Sequence, residues 1–172
     1  MSDDTSPIPS ERFTPEPQGN GAAPAQQPLI INGQYVKDLS FEAPNTPQIF
    51  SAMQAEPPQI QVDIDVQAEN KQNNLFEVVL KIRAEARAKD KLAYLLELEY
   101  AGVFTVNVPP EHLGPVLLIE CPMILFPFLR RVIADITGDG GFAPLMLTPI
   151  DFADLYRQRV QRAQAEQQTA QV

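Results

Sequence analysis

Apolar and polar residues alternate along four stretches of this chain, within residues 36–42, 60–67, 76–85 and 92–100. Successive side chains of a strand point to opposite faces, so the pattern predicts four strands with one dry and one wet face, and therefore an antiparallel sheet. The positions predicted for the dry face are Leu39 and Phe41; Ile60, Val62, Ile64 and Val66; Phe76, Val78, Leu80, Ile82 and Ala84; and Leu92, Tyr94, Leu96, Leu98 and Tyr100.

The connections between these stretches predict the order of the strands. Residues 70–74 and 89–91 are short polar links, which favours a meander of strands two, three and four. Residues 43–59 form a 17-residue link with four prolines, long enough for a crossover. We therefore expect strand one beside strand four, in a Greek-key arrangement.

Helical spacing replaces alternation in the last third of the chain. Its apolar positions are Leu125, Leu129, Val132, Ile133 and Ile136. This helix is predicted to end at Gly138, and the cluster Gly138–Gly141 is interpreted as a terminator because it lacks the residues of a phosphate-binding loop. A second helix is expected from Thr148 as cap and Pro149 as first residue, with Asp151 completing the cap. Helices covering one face of an antiparallel sheet predict an α+β domain.

Both ends of the chain differ in composition from this domain. Residues 1–28 contain six of the 17 prolines and no apolar periodicity, which predicts a disordered tail. Residues 162–172 are polar and Gln-rich, and we expect them to extend the second helix by a turn or two before fraying. The predicted domain is residues 29–161.

The net charge and the single cysteine indicate which kinds of partner and which cellular compartment to expect. The formal charge of −9 is spread along the chain, which disfavours nucleic acid as a partner and favours a basic protein surface. One cysteine, an acidic N-terminus and no apolar run of membrane-spanning length predict a cytoplasmic protein that does not insert into a membrane.

Few residues could carry catalysis. Cys121 and His112 are the one candidate nucleophile–base pair, but Cys121 lies among apolar neighbours, where a buried, inert thiol is the commoner outcome. A zinc or calcium site is not expected, because a single Cys and a single His leave too few ligands and no calcium-loop pattern is present. We expect no cofactor.

Two features admit both a structural and a functional interpretation. The wet-face acids Asp38, Glu42, Glu97 and Glu99 are either a solvated face or a docking patch for a basic partner. The apolar residues of 116–119, 123–128 and 145–147 exceed what one sheet face needs, which indicates subunit contacts, a ligand groove or both. From their spacing alone, the aromatic residues Phe50, Phe126, Phe128, Phe142, Phe152 and Tyr156 are more typical of a core.

Two motifs resemble the SecB family of protein-export chaperones. They are YVKDLSFEAPNTPQIF at residues 35–50 and ECPMILFPFLRRVIADITGDGGFAPLMLTPIDFADLY at residues 120–156, and the resemblance covers roughly residues 35–161. It implies a homotetramer built as a dimer of dimers, with the first helix between the dimers and with neither enzymatic activity nor cofactor. It also implies that the protein holds unfolded precursor proteins in the cytoplasm and delivers them to the motor ATPase SecA.

The resemblance also assigns roles to residues. The SecA-docking positions are Asp38, Glu42, Leu95 and Glu97. The contacts between dimers are Leu96, Leu98 and Tyr100. The client groove is Phe50, Met53, Ile60, Val62, Phe126 and Tyr156. Two alternatives stay open beside the export chaperone: an adaptor on the same fold that guards one dedicated partner, and an enzyme that uses Cys121.

Overall fold

A computed structural model describes residues 27–169. The strands are β1 (Leu29–Glu42), β2 (Gln59–Gln72), β3 (Leu75–Ala88) and β4 (Lys91–Val106). The helices are α1 (Gln48–Ala55), α2 (Pro110–Pro115), α3 (Cys121–Asp139) and α4 (Phe152–Thr169), with a π-helical turn (Val116–Glu120) between α2 and α3.

The four strands form one sheet in the order β1-β4-β3-β2, and every neighbouring pair is antiparallel. This confirms the predicted sheet and the crossover that brings strand one beside strand four. Two-residue turns join β2 to β3 and β3 to β4, and the first residue of each, Asn73 and Lys89, has a positive φ. The strands are longer than the alternation predicted, because cross-strand pairing continues into less regular sequence at their ends.

The predicted dry face is the face that packs against the helices. Leu80, Ala84, Leu96 and Leu98 are almost fully buried there. Leu92 is the exception. A register shift beside Ala86 pairs Leu92 with the wet-face residue Arg87, so its assignment to the dry face was wrong.

Helix α3 covers the centre of the dry face. Leu125, Leu129 and Ile133 of this helix have no exposed surface, as their spacing predicted. The helix comes close to β4 at Gly102, where an added Cβ would lie 2.7 Å from Leu125 Cδ2. It runs through Pro127 and ends at Asp139, and Gly141 follows with φ +84°, so the glycine cluster is a helix terminator.

The sequence pattern did not predict three short helical elements. Helix α1 lies within the proline-rich crossover, and α2 with the π-helical turn precedes α3. Ile49 of α1 is buried, and Val116 and Leu117 of the π-helical turn are buried too. Part of the apolar surplus noted in 116–119 is therefore core.

Helix α4 begins at Phe152, three residues after the predicted first residue, Pro149. Asp151, and not Thr148, caps it: Asp151 Oδ1 accepts a hydrogen bond of 2.8 Å from the backbone N–H of Asp154. Helix α4 then extends to Thr169, well into the predicted C-terminal tail. The N-terminal tail predicted for residues 1–28 lies almost entirely outside the described residues. Within residues 27–169, no helix has the length and hydrophobicity that crossing a membrane requires.

Candidate protein-binding surfaces

The four predicted docking residues, Asp38, Glu42, Leu95 and Glu97, lie on two neighbouring strands and share the wet face. We call them the docking surface. Glu42 lies opposite Leu95 in the β1–β4 pairing, Ser40 opposite Glu97 and Asp38 opposite Glu99. Residues that pair directly in an antiparallel sheet have side chains on the same face, close to one another. The fold therefore gathers these side chains into three consecutive rows.

Two of the four wet-face acids are paired with cations. Lys81 Nζ lies 2.6 Å from Glu99 Oε1, and Arg83 Nε lies 3.4 Å from Glu97 Oε1. The cations come from β3, which pairs with β4 on its other side. Asp38 and Glu42, by contrast, make no ion pair or hydrogen bond with any of the described residues.

A shallow depression of about 330 Å³ joins the docking surface to β2. Its charged lining consists of five carboxylates and two cations: Asp38, Asp63, Asp65, Glu97, Glu99, Lys81 and Arg83. The excess of carboxylates gives the face a negative potential, which attracts a basic partner.

On the same face, a buried carboxylate of β3 is bonded to residues of both edge strands. Glu77 of β3 is 4% exposed and accepts hydrogen bonds from the Tyr35 hydroxyl and from Lys37 Nζ at 2.9 Å. Lys71 Nζ of β2 also lies 2.9 Å from Glu77 Oε2. The hydrogen bonds from Tyr35, Lys37 and Lys71 lower the pKa of the Glu77 carboxyl to about 2. Glu77 thus links β3 to both edge strands.

An apolar groove of about 550 Å³ runs between β2 and α4. Its apolar lining is Ile64, Val66, Leu118, Leu155, Tyr156 and Ala163, and its polar lining is Asp65, Gln158, Arg159, Arg162 and Glu166. Arg159 Nη1 donates a 2.7 Å hydrogen bond to the carbonyl oxygen of Val66 and holds α4 beside the edge strand. The Tyr156 hydroxyl lies over Gly114, where an added Cβ would be only 3.0 Å away.

The predicted client-groove residues fall into three groups. Tyr156 lines the apolar groove, while Ile60 and Val62 are 42% and 38% exposed on the same face of β2 as Ile64. Phe50 and Met53 of α1 are partly buried against the core.

Phe126 is buried, with its ring centroid 6.0 Å from that of Phe152. Its side chain therefore packs against α4 and is only 8% exposed in this structure. Ile64, Leu118 and Leu155 also line the groove and are not in the predicted set. The alternation of β2 marked Ile64, and the apolar surplus marked Leu118, but only the tertiary structure places both beside α4.

The outer side of α3 exposes a second apolar area, formed by Met123, Ile124 and Phe128. The Tyr100 ring supports it from below, stacked on the Phe128 ring at a centroid distance of 6.5 Å. Leu96 and Leu98, the other predicted contacts between dimers, are at most 1% exposed beneath the helices. These two leucines present no side-chain surface to a second subunit in this structure.

Cys121 is buried at the start of α3. Burial, and to a lesser extent the charge of Glu120, raises the pKa of its thiol to about 12. The thiol is thus protonated at neutral pH and a poor nucleophile. Within residues 27–169, no group of three or more His, Cys, Asp or Glu side chains is arranged to hold a metal ion.

Comparison with known proteins identifies a family for this chain. The family model described as preprotein translocase subunit SecB matches residues 22–163. The protein-export protein SecB of Rhodospirillum rubrum is 55% identical over 82% of this chain and 88% of its own length. The protein of the same name from a Bradyrhizobium species is 51% identical over 90% of this chain and 96% of its own length.

Among solved structures, a SecB-like chaperone of Mycobacterium tuberculosis in complex with an antitoxin peptide has the same fold. Its TM-score is 0.61 at 15% identity, over 71% of this chain and 90% of that one. The family match covers the whole sheet and all but the end of α4, with the docking surface and the apolar groove inside it. The chain therefore belongs to the SecB family.

Proposed function

We propose that this protein is an ATP-independent chaperone that keeps secretory precursors unfolded in the cytoplasm and delivers them to SecA. The observation that carries the proposal is the open apolar groove between β2 and α4, together with the exposed Ile60 and Val62 beside it. A small soluble chain rarely leaves such surface open without a partner for it.

An unfolded client would bind by burying its own apolar side chains in this groove. Each square ångström of apolar surface removed from water contributes about 25 cal/mol, less the cost of ordering the client. The apolar part of the groove would select for hydrophobicity and not for one sequence, so many unrelated unfolded segments would fit, with the charged residues Asp65, Arg159, Arg162 and Glu166 along its polar side. The binding step needs no nucleotide and no catalytic residue, which agrees with a protonated, buried Cys121.

Delivery needs a second contact that leaves the client in place. The docking surface lies on the wet face of the sheet, whereas the apolar groove lies at the edge of the helix layer. A basic region of SecA would bind the free carboxylates of Asp38 and Glu42, with Leu95 as an apolar contact and Glu97 completing the surface. Client and SecA could then be bound at the same time.

Assembly as a dimer of dimers would multiply the client sites. The exposed outer side of α3, with Met123, Ile124 and Phe128, supports a contact between dimers through this helix. Leu96, Leu98 and Tyr100 would contribute by supporting α3 from below. Several weak sites on one tetramer hold a long client firmly, because each later contact is intramolecular.

The proposal is tested by refolding a denatured secretory precursor with and without stoichiometric tetramer, in the absence of ATP. Refolding should be slowed in proportion to chaperone, and the same precursor already folded should be unaffected, since its apolar side chains are buried. Unchanged refolding of several unrelated precursors would rule the chaperone activity out. Capture of a single dedicated protein would indicate the adaptor instead.

A further inference from the structure

We infer that Arg83 competes with the basic partner for Glu97, so that the docking surface is partly neutralised by the chain itself until the partner arrives. The inference rests on the proposed docking of SecA at this surface. It adds a residue of β3 that weakens docking and thereby requires the partner to displace an internal cation.

Arg83 is shared between two carboxylates. Its Nε lies 3.4 Å from Glu97 Oε1, while Nη1 and Nη2 lie 3.3 and 3.1 Å from Glu85 Oε2. The two contacts to Glu85 are hydrogen bonds, and the contact to Glu97 is only an ion pair at a longer distance. Glu85 therefore holds the guanidinium more firmly than Glu97 does.

Because Glu85 holds Arg83 more firmly, replacing Arg83 at Glu97 by a cation of the partner costs little free energy. An incoming arginine can take Glu97 in a two-point contact while Arg83 keeps its hydrogen bonds to Glu85. Both cations and both carboxylates stay paired after the exchange. The Arg83 and Glu97 side chains are about half exposed, so the pair that is broken is a weak one.

The neighbouring pair behaves differently. Lys81 Nζ lies 2.6 Å from Glu99 Oε1, and both side chains are more buried than those of Arg83 and Glu97. Among the described residues, Lys81 makes no ion pair with a second carboxylate. Displacing Lys81 would leave it without its partner. Competition is therefore assigned to Arg83 and Glu97, and not to Lys81 and Glu99.

The test compares two variants that change the charge equally. Arg83→Gln removes the competitor. Arg87→Gln removes a cation from the same face of β3, but one whose hydrogen bond of 2.5 Å goes to Glu85. Binding of purified SecA is titrated against each full-length variant at low and physiological salt. We expect Arg83→Gln to tighten SecA binding by about two- to five-fold at low salt, which corresponds to the interaction free energy of an exposed ion pair. Arg87→Gln should tighten binding less.

Equal tightening by both variants would show a general effect of net charge and would overturn the inference. Weaker binding by Arg83→Gln would also overturn it, since Arg83 would then be orienting Glu97 for the partner. In a Glu97→Gln background, Arg83→Gln should have no further effect, because the contested carboxylate is gone.

Two more measurements keep the outcomes separate. Glu85→Gln should weaken SecA binding, because Arg83 loses its alternative partner and stays on Glu97. If Arg83→Gln does not fold, Glu85→Gln replaces it as the test of the competition. Glu97→Gln alone reports on the docking function. If it leaves binding unchanged, the proposed docking surface is wrong, whereas a loss of binding with no difference between Arg83→Gln and Arg87→Gln refutes only the competition.

Discussion

Asp38 lies directly opposite Glu99 across the β1–β4 pair, yet of the two only Glu99 has a cation within reach among the described residues. Lys81 can serve Glu99 because β3 and β4 are neighbours, whereas β1 is the edge strand on the far side of β4. A carboxylate at the edge of the sheet is thus left free, while its neighbour one strand inward is neutralised. The free charges of the docking surface come from β1.

Removing either free carboxylate should weaken docking. We expect Asp38→Ala and Glu42→Ala each to reduce the affinity for SecA several-fold, and Glu97→Lys to reduce it more because a like charge then faces the basic partner. Calorimetric titration at two salt concentrations measures the effect, which should shrink as salt rises. Client binding should stay unchanged. Glu111→Ala, in α2 and away from the wet face, is the control that separates local contacts from net charge.

Assembly should depend on the outer side of α3. Ile124→Glu places a charge on the exposed apolar area and should shift the mass measured by light scattering from about four chains toward two. Val160→Glu is the matched control, because Val160 of α4 is 38% exposed and Ile124 is 37% exposed. A tetramer that survives both substitutions would contradict assembly through α3.

The buried leucines should respond differently. A charge at Leu98, which is 1% exposed, would be buried without a partner, at a cost of several kcal/mol. Leu98→Glu should therefore prevent folding, which is measured as the loss of a cooperative thermal unfolding transition. No folded dimer of this variant should form. A folded Leu98→Glu dimer would mean that Leu98 contacts the other dimer directly.

Client binding should depend on the exposed apolar side of β2. Val62→Ser should weaken the affinity for an unfolded client by roughly three- to ten-fold, from the apolar groups it removes. Val160→Ser is again the control, since the two valines are both 38% exposed and only Val62 lies on the groove face of β2. Fluorescence anisotropy of a labelled unfolded precursor compares the two variants. Equal losses of affinity in the two variants would show that clients also bind exposed apolar surface outside the groove.

Glu77 should stabilise the sheet in a pH-dependent way. Because hydrogen bonds lower its pKa from 4.5 to about 2, its contribution is fully present above about pH 4.5 and is lost as the pH falls toward 2. Glu77→Gln should lower the free energy of unfolding by about 1–3 kcal/mol at pH 7. The difference between the two proteins should shrink in urea denaturation at pH 3. A difference that stays constant with pH would indicate a packing effect.

Gly102 should tolerate no side chain. An added Cβ would lie 2.6 Å from Phe104 Cε2 and 2.7 Å from Leu125 Cδ2, so Gly102→Ala must displace these two buried side chains between β4 and α3. We expect a loss of about 1–3 kcal/mol in the free energy of unfolding, measured by urea denaturation. Gly33→Ala is the control, because no atom lies within 4 Å of its added Cβ. A neutral Gly102→Ala would show that the core at Phe104 and Leu125 adjusts without loss of stability.

Some elements were readable from local sequence, and others depended on contacts. The alternation in β2 and β3 and the spacing of Leu125, Leu129 and Ile133 identified the sheet and α3. The start of α4 was misplaced because Thr148-Pro149 and Asp151 both fit the pattern of a cap, and only the hydrogen bond from Asp154 distinguishes them. Leu92 was misassigned because a register shift interrupts the alternation without any mark in the sequence.

The sequence by itself determined the antiparallel sheet, its dry and wet faces, the crossover and the family, because periodicity and motifs are properties of residues close together in the chain. Only the tertiary structure decided which acids are free and which aromatic rings are covered. Asp38 differs from Glu99, and Tyr156 from Phe126, through neighbours that are distant in the sequence: Lys81 pairs with Glu99, Phe152 covers Phe126, and the Tyr156 hydroxyl lies over Gly114 beside an open groove. Ion pairing and burial are set by those long-range contacts, which no local pattern records.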